Sequence, residues 1–498
     1  MEAVNKSMAK GVMWTILFKF VTRGIGLIST VVLARLLVPA DFGLVAMAMA
    51  IIAGLEVLSA FNVDTVLIQN QNAERKHYDT AWTFNFIAGT VQAVILVFIA
   101  PLIAHFYNEP RLQLIVYLLA LGRLVSGVEN IGMVAFRKEL QFHKDFKFQV
   151  IRKMIGFTIT IGLALWLRSY WALVGGMLAG TFAGVALSYA MQPYRPRFSL
   201  SAMSELFHFS KWLLINNGLY FAIHESSSFI LGKLGGASAL GLYSVSYEIS
   251  NLPSTDLVAP INRAIFPGYA KMAGDLGVLR QGFLNVLSAI ALFVLPIGAG
   301  LALTADPLVH LMLGAQWARA VPLIQVLAIA GVISALGTNQ GAVYLALGRP
   351  RVLTVLAVLH AGLLLPLLVW GAMRNGAMGA AEATLLVGVV TMPINFVVLL
   401  KNIELRASEV AKILWRPLAA TGFMIVAVRL VLEWAPAGNT FLVYLSQLLI
   451  ATMAGGAVYI AAIVLLWKST GMQPGIEQLL LTRMANQFKR SFAKGQRL

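Results

Sequence analysis

The chain has 498 residues, of which 59% are hydrophobic and only 12% charged, with 38 Lys and Arg against 21 Asp and Glu. A soluble domain carries about 25% charged residues, so a chain with this composition and a mean hydropathy of +0.79 cannot cover itself with polar surface. A water-soluble enzyme is excluded, and the membrane is the solvent that suits the chain. The absence of cysteine excludes disulfides, thiolate metal sites and cysteine catalysis.

The first apolar run follows Lys6 and Lys10 and continues to about Ala34. It is too long for a signal-peptide core and lacks a small-residue cleavage site, so it reads as a first membrane span. Apolar blocks then recur with centres near residues 23, 54, 92, 122, 158, 181, 220, 254, 290, 332, 361, 389, 422 and 453. Each is long enough for a transmembrane helix. The fold class expected is an all-α polytopic membrane protein of about fourteen helices, with no room for a sizeable soluble domain.

Sorting Lys and Arg by alternate joints puts 27 on the side of both termini, six on the other side and five inside spans. That bias predicts both termini in the cytoplasm. It also accounts for the net charge of +17 without nucleic acid as a partner.

An internal repeat is visible. Trp14, Arg35-Leu36 and Gly43-Leu44 recur 198 residues later as Trp212, Lys233-Leu234 and Gly241-Leu242. An offset of six spans preserves orientation and predicts two parallel, pseudo-symmetric six-helix lobes related by an axis along the membrane normal. The expected organisation is a first lobe over 1–192, a second over 193–402, two extra helices over 403–467 and a basic cytoplasmic tail over 468–498. That tail alternates Leu479, Leu480, Met484 and Phe488 with Arg483, Lys489 and Arg490. It suits either anionic headgroups or plain solvation.

Catalytic equipment is missing. There is no G-x-x-x-x-G-K-[ST] loop and no H-E-x-x-H pattern. No long outer loop carries a carboxylate pair for acid–base work. The expectation is transport, with no enzyme activity, cofactor or metal.

Charges inside spans are costly and mark cavities or partners. Lys19 and Arg23 lie four apart on one face of the first span. Arg123 falls in the fourth span and Arg263 in the eighth. Glu56, Glu129, Glu225, Glu248, Asp256 and Glu382 are the acidic counterparts. These cations suit a central cavity for an anionic substrate, where Arg holds phosphate through paired hydrogen bonds. They also suit internal ion pairs, such as Arg123 with Glu129, or Arg429 with Glu433. His224 and Glu225, with Glu56, are candidates for ion coupling, or a satisfied polar pair. Asn216, Asn217, Ser226, Ser227 and Ser228 make the seventh span polar, which serves sugar hydroxyls or helix-to-helix hydrogen bonds. Pro253, Pro260 and Pro267 predict a bent eighth span. Trp82, Trp166 and Trp171 are expected at membrane interfaces.

Several stretches are more specific: "ARLLVPADFGLVAMA" (34–48), "APLIAHFYNEPRL" (100–112), "AFRKELQFHKDF" (135–146), "LGKLGGASALGLYSVSYEISNLP" (231–253), "PINRAIFP" (260–267), "ADPLVHLMLGAQW" (305–317) and "LALGRPRVL" (345–353). In this order they resemble the polysaccharide transporter branch of the multidrug/oligosaccharidyl-lipid/polysaccharide exporter superfamily, and within it the Wzx-type flippases of colanic-acid-like exopolysaccharides. The resemblance runs from about residue 5 to 360. It implies a fourteen-helix, two-lobed fold like that of the multidrug exporters, working by alternating access. It also implies a substrate: an oligosaccharide repeat unit on undecaprenyl pyrophosphate, moved from the cytoplasmic to the periplasmic leaflet of a bacterial inner membrane. Exopolysaccharide, capsule or O-antigen synthesis would follow, with membrane lipids, a polysaccharide polymerase and export machinery as partners. Lys19, Arg23 and Arg263 would accept the pyrophosphate and sugars. The chain departs from the family at Val245 and Glu248, where relatives carry arginines, which argues against a uniformly cationic second lobe. The alternative is an ion-coupled drug or cation antiporter of the same superfamily. A scaffold for glycosyltransferases and a membrane polymerase are the more distant readings.

Overall fold

A computed structural model describes residues 2–58, 63–70, 72–203, 211–436 and 438–471. Helices make up nearly all of it, and no strand occurs among the described residues. In chain order they are α1 (Glu2–Leu36), α2 (Pro39–Leu58), α3 (Val63–Gln69), α4 (Arg75–Tyr107), α5 (Arg111–Gly127), α6 (Val134–Lys138), α7 (Phe142–Leu167) and α8 (Trp171–Met191). There follow α9 (Lys211–Ser250), α10 (Ala259–Met272), α11 (Leu276–Leu303), α12 (Ala305–Met312), α13 (Ala320–Ala346), α14 (Pro350–Asn402), α15 (Ala407–Trp434) and α16 (Phe441–Ser469).

Ten of the described helices are long and apolar enough to cross a membrane, and an eleventh candidate is α5 with the segment 131–138, bent by 63°. The 53 residues of α14 would run about 80 Å as one rod, far beyond a hydrocarbon core of about 30 Å. The helix breaks at Asn375 and Gly376, with Gly376 at φ +53, and makes two passes. α9 and the 14-residue α10 are not among these candidates. Where the prolines fall, Pro253–Val258 forms a π-helical turn before α10 begins.

The chain divides into two compact units. The first comprises 1–244 and the short segment Met312–Trp317. Here α1 lies along α7, with Trp14 and Phe18 against Phe146, and Leu33 and Leu37 pack on Ala164 and Ala172. The second comprises 245–311 and 318–498. Its core is built from Tyr269, Phe283, Ile290, Val343, Tyr344 and Leu399. Across the α14 break, a Cβ on Gly371 would lie 2.3 Å from the Gly379 carbonyl oxygen, and one on Gly379 would lie 2.0 Å from that of Gly371. Only glycine permits the two limbs to touch there.

The 198-residue offset reappears as shape. The α1–α2 corner falls at Leu37–Val38, and α9 breaks at Gly236, φ +73, the position 198 residues after Val38. At the first corner the Ala34 carbonyl accepts from Trp317 Nε1 at 2.8 Å and Gln316 Nε2 at 2.7 Å. At the second, Gly232, the repeat mate of Ala34, lies under the Tyr107 ring, and Lys233 stands 5.3 Å over Phe106. The quoted stretches that contain these residues are therefore the packing of the two corners.

Candidate functional site

Helix α1 turns by about 100° per residue. Trp14 and Phe18 face α7, so Lys19 and Arg23 occupy the adjoining face. Lys19 is exposed and Arg23 half-buried. Arg23 is thirteen residues, about 20 Å, from the α2 end of the helix. That depth puts a guanidinium well inside a bilayer if Leu36 marks one surface.

Arg123 of α5 forms an ion pair with Glu56 of α2. Glu129, its neighbour in sequence, is bound instead by Arg152 Nη1 at 3.2 Å. On α9, His224 is exposed and Glu225 half-buried. Glu225 accepts from Ser228 Oγ at 3.0 Å, and Ser227 Oγ lies 3.4 Å from the Tyr243 hydroxyl. Thus the structure joins Arg123 to Glu56, and leaves Glu225 facing a serine of its own helix. Ser226, Ser227, Ser228 and Glu225 of this stretch have bonds within unit 1. Glu248, Asp256, Glu382, Arg429 and Glu433 are all exposed. The side chains of Arg263, Asn216 and Asn217 lie outside the described residues.

Sequence reasoning missed a polar knot where α5 ends. Asn130, 1% exposed, accepts from Gly132 N at 2.9 Å and donates through Nδ2 to the carbonyls of Gln192 and Tyr194. Its own N–H goes to Ser188 Oγ, Gln192 Nε2 reaches the Gly132 carbonyl, and Tyr189 donates to the Val128 carbonyl. A break inside a membrane frees backbone groups that must be met by side chains, and this knot meets them. The connector after α8 is likewise fastened to α4. Asp79 accepts from the Tyr194 hydroxyl and from Arg197 N, Thr83 Oγ1 accepts from Ser199 N, and Thr80 Oγ1 from Ala202 N. Burial, and then the neighbouring Asp79 carboxylate, push the Tyr194 hydroxyl well above its ordinary value. Trp82 is buried, 7% exposed, stacked on Phe86 and capped by Phe198. It thus faces the protein interior, whereas Trp166, at 80% exposed, faces outward.

In the second unit, α11, α15 and α16 enclose an open groove of about 820 Å³. Phe293, Ile297, Met424, Leu448 and Ile460 line it with hydrocarbon. One of its few polar groups, the Tyr459 hydroxyl, is tied to the Leu292 carbonyl at 2.7 Å.

Ten helices among the described residues that are long and apolar enough to cross a membrane, with cations in apolar runs and a hydrocarbon groove, define a multi-pass, all-helical membrane protein. The family described as "Polysaccharide biosynthesis protein" matches residues 32–322, more than half of the chain, and the chain belongs to it. The lipopolysaccharide biosynthesis protein WzxC of Escherichia coli (strain K12) is 26% identical over 80% of this chain and 82% of its own length. The succinoglycan biosynthesis transport protein ExoT of Rhizobium meliloti (strain 1021) is 25% identical over 93% of this chain and 94% of its own. Among solved structures, the lipid II flippase MurJ in an inward closed conformation superposes with a TM-score of 0.72. It covers 92% of this chain and 99% of that one at 13% identity, a likeness of fold.

Proposed function

We propose that this protein is a flippase for lipid-linked oligosaccharides. It moves undecaprenyl-pyrophosphate repeat units from the cytoplasmic to the periplasmic leaflet of a bacterial inner membrane, for exopolysaccharide, capsule or O-antigen synthesis. The observation that carries the reading is membership of the polysaccharide biosynthesis family, with near full-length kinship to a protein named for succinoglycan transport. The geometry supports it. Arg23 and Lys19 on one face of α1 offer fixed positive charge in place of the hydration a pyrophosphate loses on leaving water. The hydrocarbon groove beside α15 and α16 suits a polyprenyl chain, which a small drug cation lacks. Glu56, which an antiporter would use to bind a cation, is engaged by Arg123.

In this reading both termini are cytoplasmic, lobes 1–192 and 193–402 alternate access, and Arg263, Asn216 and Asn217 contribute to the second half of the cavity. His224 and Glu225 are the candidates for coupling to an ion gradient. The polymerase and export machinery act downstream.

The test is a deletion strain of the source bacterium. Undecaprenyl-pyrophosphate oligosaccharide should accumulate and surface polymer should be lost. Complementation with Lys19→Ala/Arg23→Ala should cut polymer at least tenfold at matched membrane levels. Normal polymer in the deletion strain, with no lipid-linked intermediate, would reject the flippase. Resistance to cationic dyes on overexpression would move the assignment to the antiporter.

A further inference from the structure

The two corners of the repeat touch each other, backbone on backbone, inside the first unit. A Cβ on Gly43 would lie 1.7 Å from the Ala237 carbonyl oxygen, and one on Gly241 would lie 1.8 Å from that of Pro39. Pro39 and Ala237 are themselves 198 residues apart, as are Gly43 and Gly241. Residue i of one half thus meets residue j of the other, and j meets i. This is the reciprocal pattern that a two-fold axis imposes on the contact it passes through. Gly241 also stands against Gly43 itself, its added Cβ 3.0 Å from Gly43 N, so both glycines lie beside that axis. For parallel repeats the axis runs along the membrane normal. A contact on it plugs the line along which a passage between repeat halves would open.

From this we infer that Gly43 and Gly241 form the outer seal of the transport path, a contact that must part for release to the outside. The assignment to the outer side rests on the proposed flippase topology, which puts the α1–α2 corner there. The contact has two properties that suit a seal made and broken each cycle. It is a close approach of bare backbone, dense enough to exclude water. It is also made by residues whose chain neighbours are tied elsewhere: Asp41 holds the N–H groups of Val38 and Tyr170 at 3.1 Å each, on its own side of the contact. Glycine at 43 and 241 acts as a positioning residue, because any side chain would hold the corners apart.

The absence of native cysteine permits a direct test. A reporter Ser227→Cys sits on α9 nine residues, about 13 Å, below the break at Gly236. In spheroplasts, a membrane-impermeant thiol reagent added outside should label it slowly in an otherwise parental chain. Gly43→Ala and, independently, Gly241→Ala should each raise the rate at least tenfold. Gly24→Ala, whose Cβ meets nothing within 4 Å, should leave it unchanged. Equal rates in all four proteins would overturn the seal. So would faster labelling from the cytoplasmic side only.

If the alanine variants are lost from the membrane, a second pair decides. Phe106→Cys with Lys233→Cys, bridged by a short reducible cross-linker across the second corner, should stop polymer export, and reductant should restore it. Undiminished export with the bridge intact would overturn the proposal. The labelling needs no substrate, so it separates the two claims. Faster labelling in a strain whose deletion accumulates no lipid-linked sugar would keep the seal and reject the flippase.

Discussion

Gly371 and Gly379 meet across a turn eight residues long, whereas Gly43 and Gly241 meet across 198 residues of chain. In both pairs an added Cβ would fall within about 2.3 Å of a carbonyl oxygen, so sterics alone does not tell them apart. Connectivity does. The first pair is closed by the hairpin of α14, where Gly376 reverses the chain at φ +53, and it has nowhere to go while α14 is folded. The second joins two corners on separate helices, the first capped by Trp317 and Gln316 and the second packed under Tyr107 and against Met47. A tight contact between distant segments can part with both helices intact, together with the neighbouring contacts of Gly232 with Tyr107 and Met47 and of Lys233 with Phe106. The same contact inside a hairpin is part of the fold.

The largest effect expected follows from the local pair. Gly379→Val places a branched side chain against the Gly371 carbonyl and should destabilise the protein by about 3 kcal/mol, the upper end for overpacking. Thermal unfolding in detergent would measure it. The Ser227→Cys reporter should label no faster in whatever protein remains folded. If Gly379→Val opened the reporter as Gly43→Ala does, connectivity would not be what distinguishes the two pairs.

A somewhat smaller loss is expected where side chains, rather than glycines, hold a break. Asn130→Leu would remove three hydrogen bonds and leave the buried Gly132 N–H unmet, while the Gln192 and Tyr194 carbonyls would keep only Arg195 Nη1 as donor. Buried bonds of this kind are worth about 1 kcal/mol each, so a loss of about 2–3 kcal/mol is expected by the same melting measurement. Asp79→Ala, which orphans the Tyr194 hydroxyl and Arg197 N, should cost about 1–2 kcal/mol. Neither change should alter reporter labelling, because both sites belong to the fixed frame. Labelling that rose with Asp79→Ala would mean that the connector after α8 takes part in the opening.

What could be read from the sequence divides along similar lines. The spans were legible because hydrocarbon thickness sets their length. The repeat was legible because both corners need the same glycine and leucine at the same spacing. Lys19 and Arg23 stood out because cations are rare in apolar runs. The partner of Arg123 was not legible. Glu129 is six residues on, which on a helix is about 240° round and beyond the end of α5 at Gly127, while the true partner, Glu56, lies 67 residues back. The Asn130 knot was hidden for the same reason, its partners Ser188, Gln192 and Tyr194 being about 60 residues away. Trp82 looked like an interface residue because tryptophan often is. Nothing local revealed that Phe198 would cover it.

The smallest effect expected tests whether the α1–α2 corner is held by packing or by charge. Arg111 donates two hydrogen bonds to Glu109, at 2.7 and 2.8 Å, and its guanidinium lies over the Tyr170 ring at 5.9 Å. Those hydrogen bonds hold the Glu109 carboxyl below its ordinary value, against some opposing desolvation. The folded protein therefore gains from this pair at pH values above the usual carboxylate range, and loses the gain as pH falls through the lowered value. Arg111 is about half exposed, so the gain should stay below about 1 kcal/mol. Arg111→Ala should lower the melting temperature slightly at pH 7, and the difference from the parental chain should shrink as pH falls below the usual carboxylate range. Reporter labelling should not change. A corner held by its charges would instead open with Arg111→Ala as widely as with Gly43→Ala, and would open in the parental protein on acidification alone.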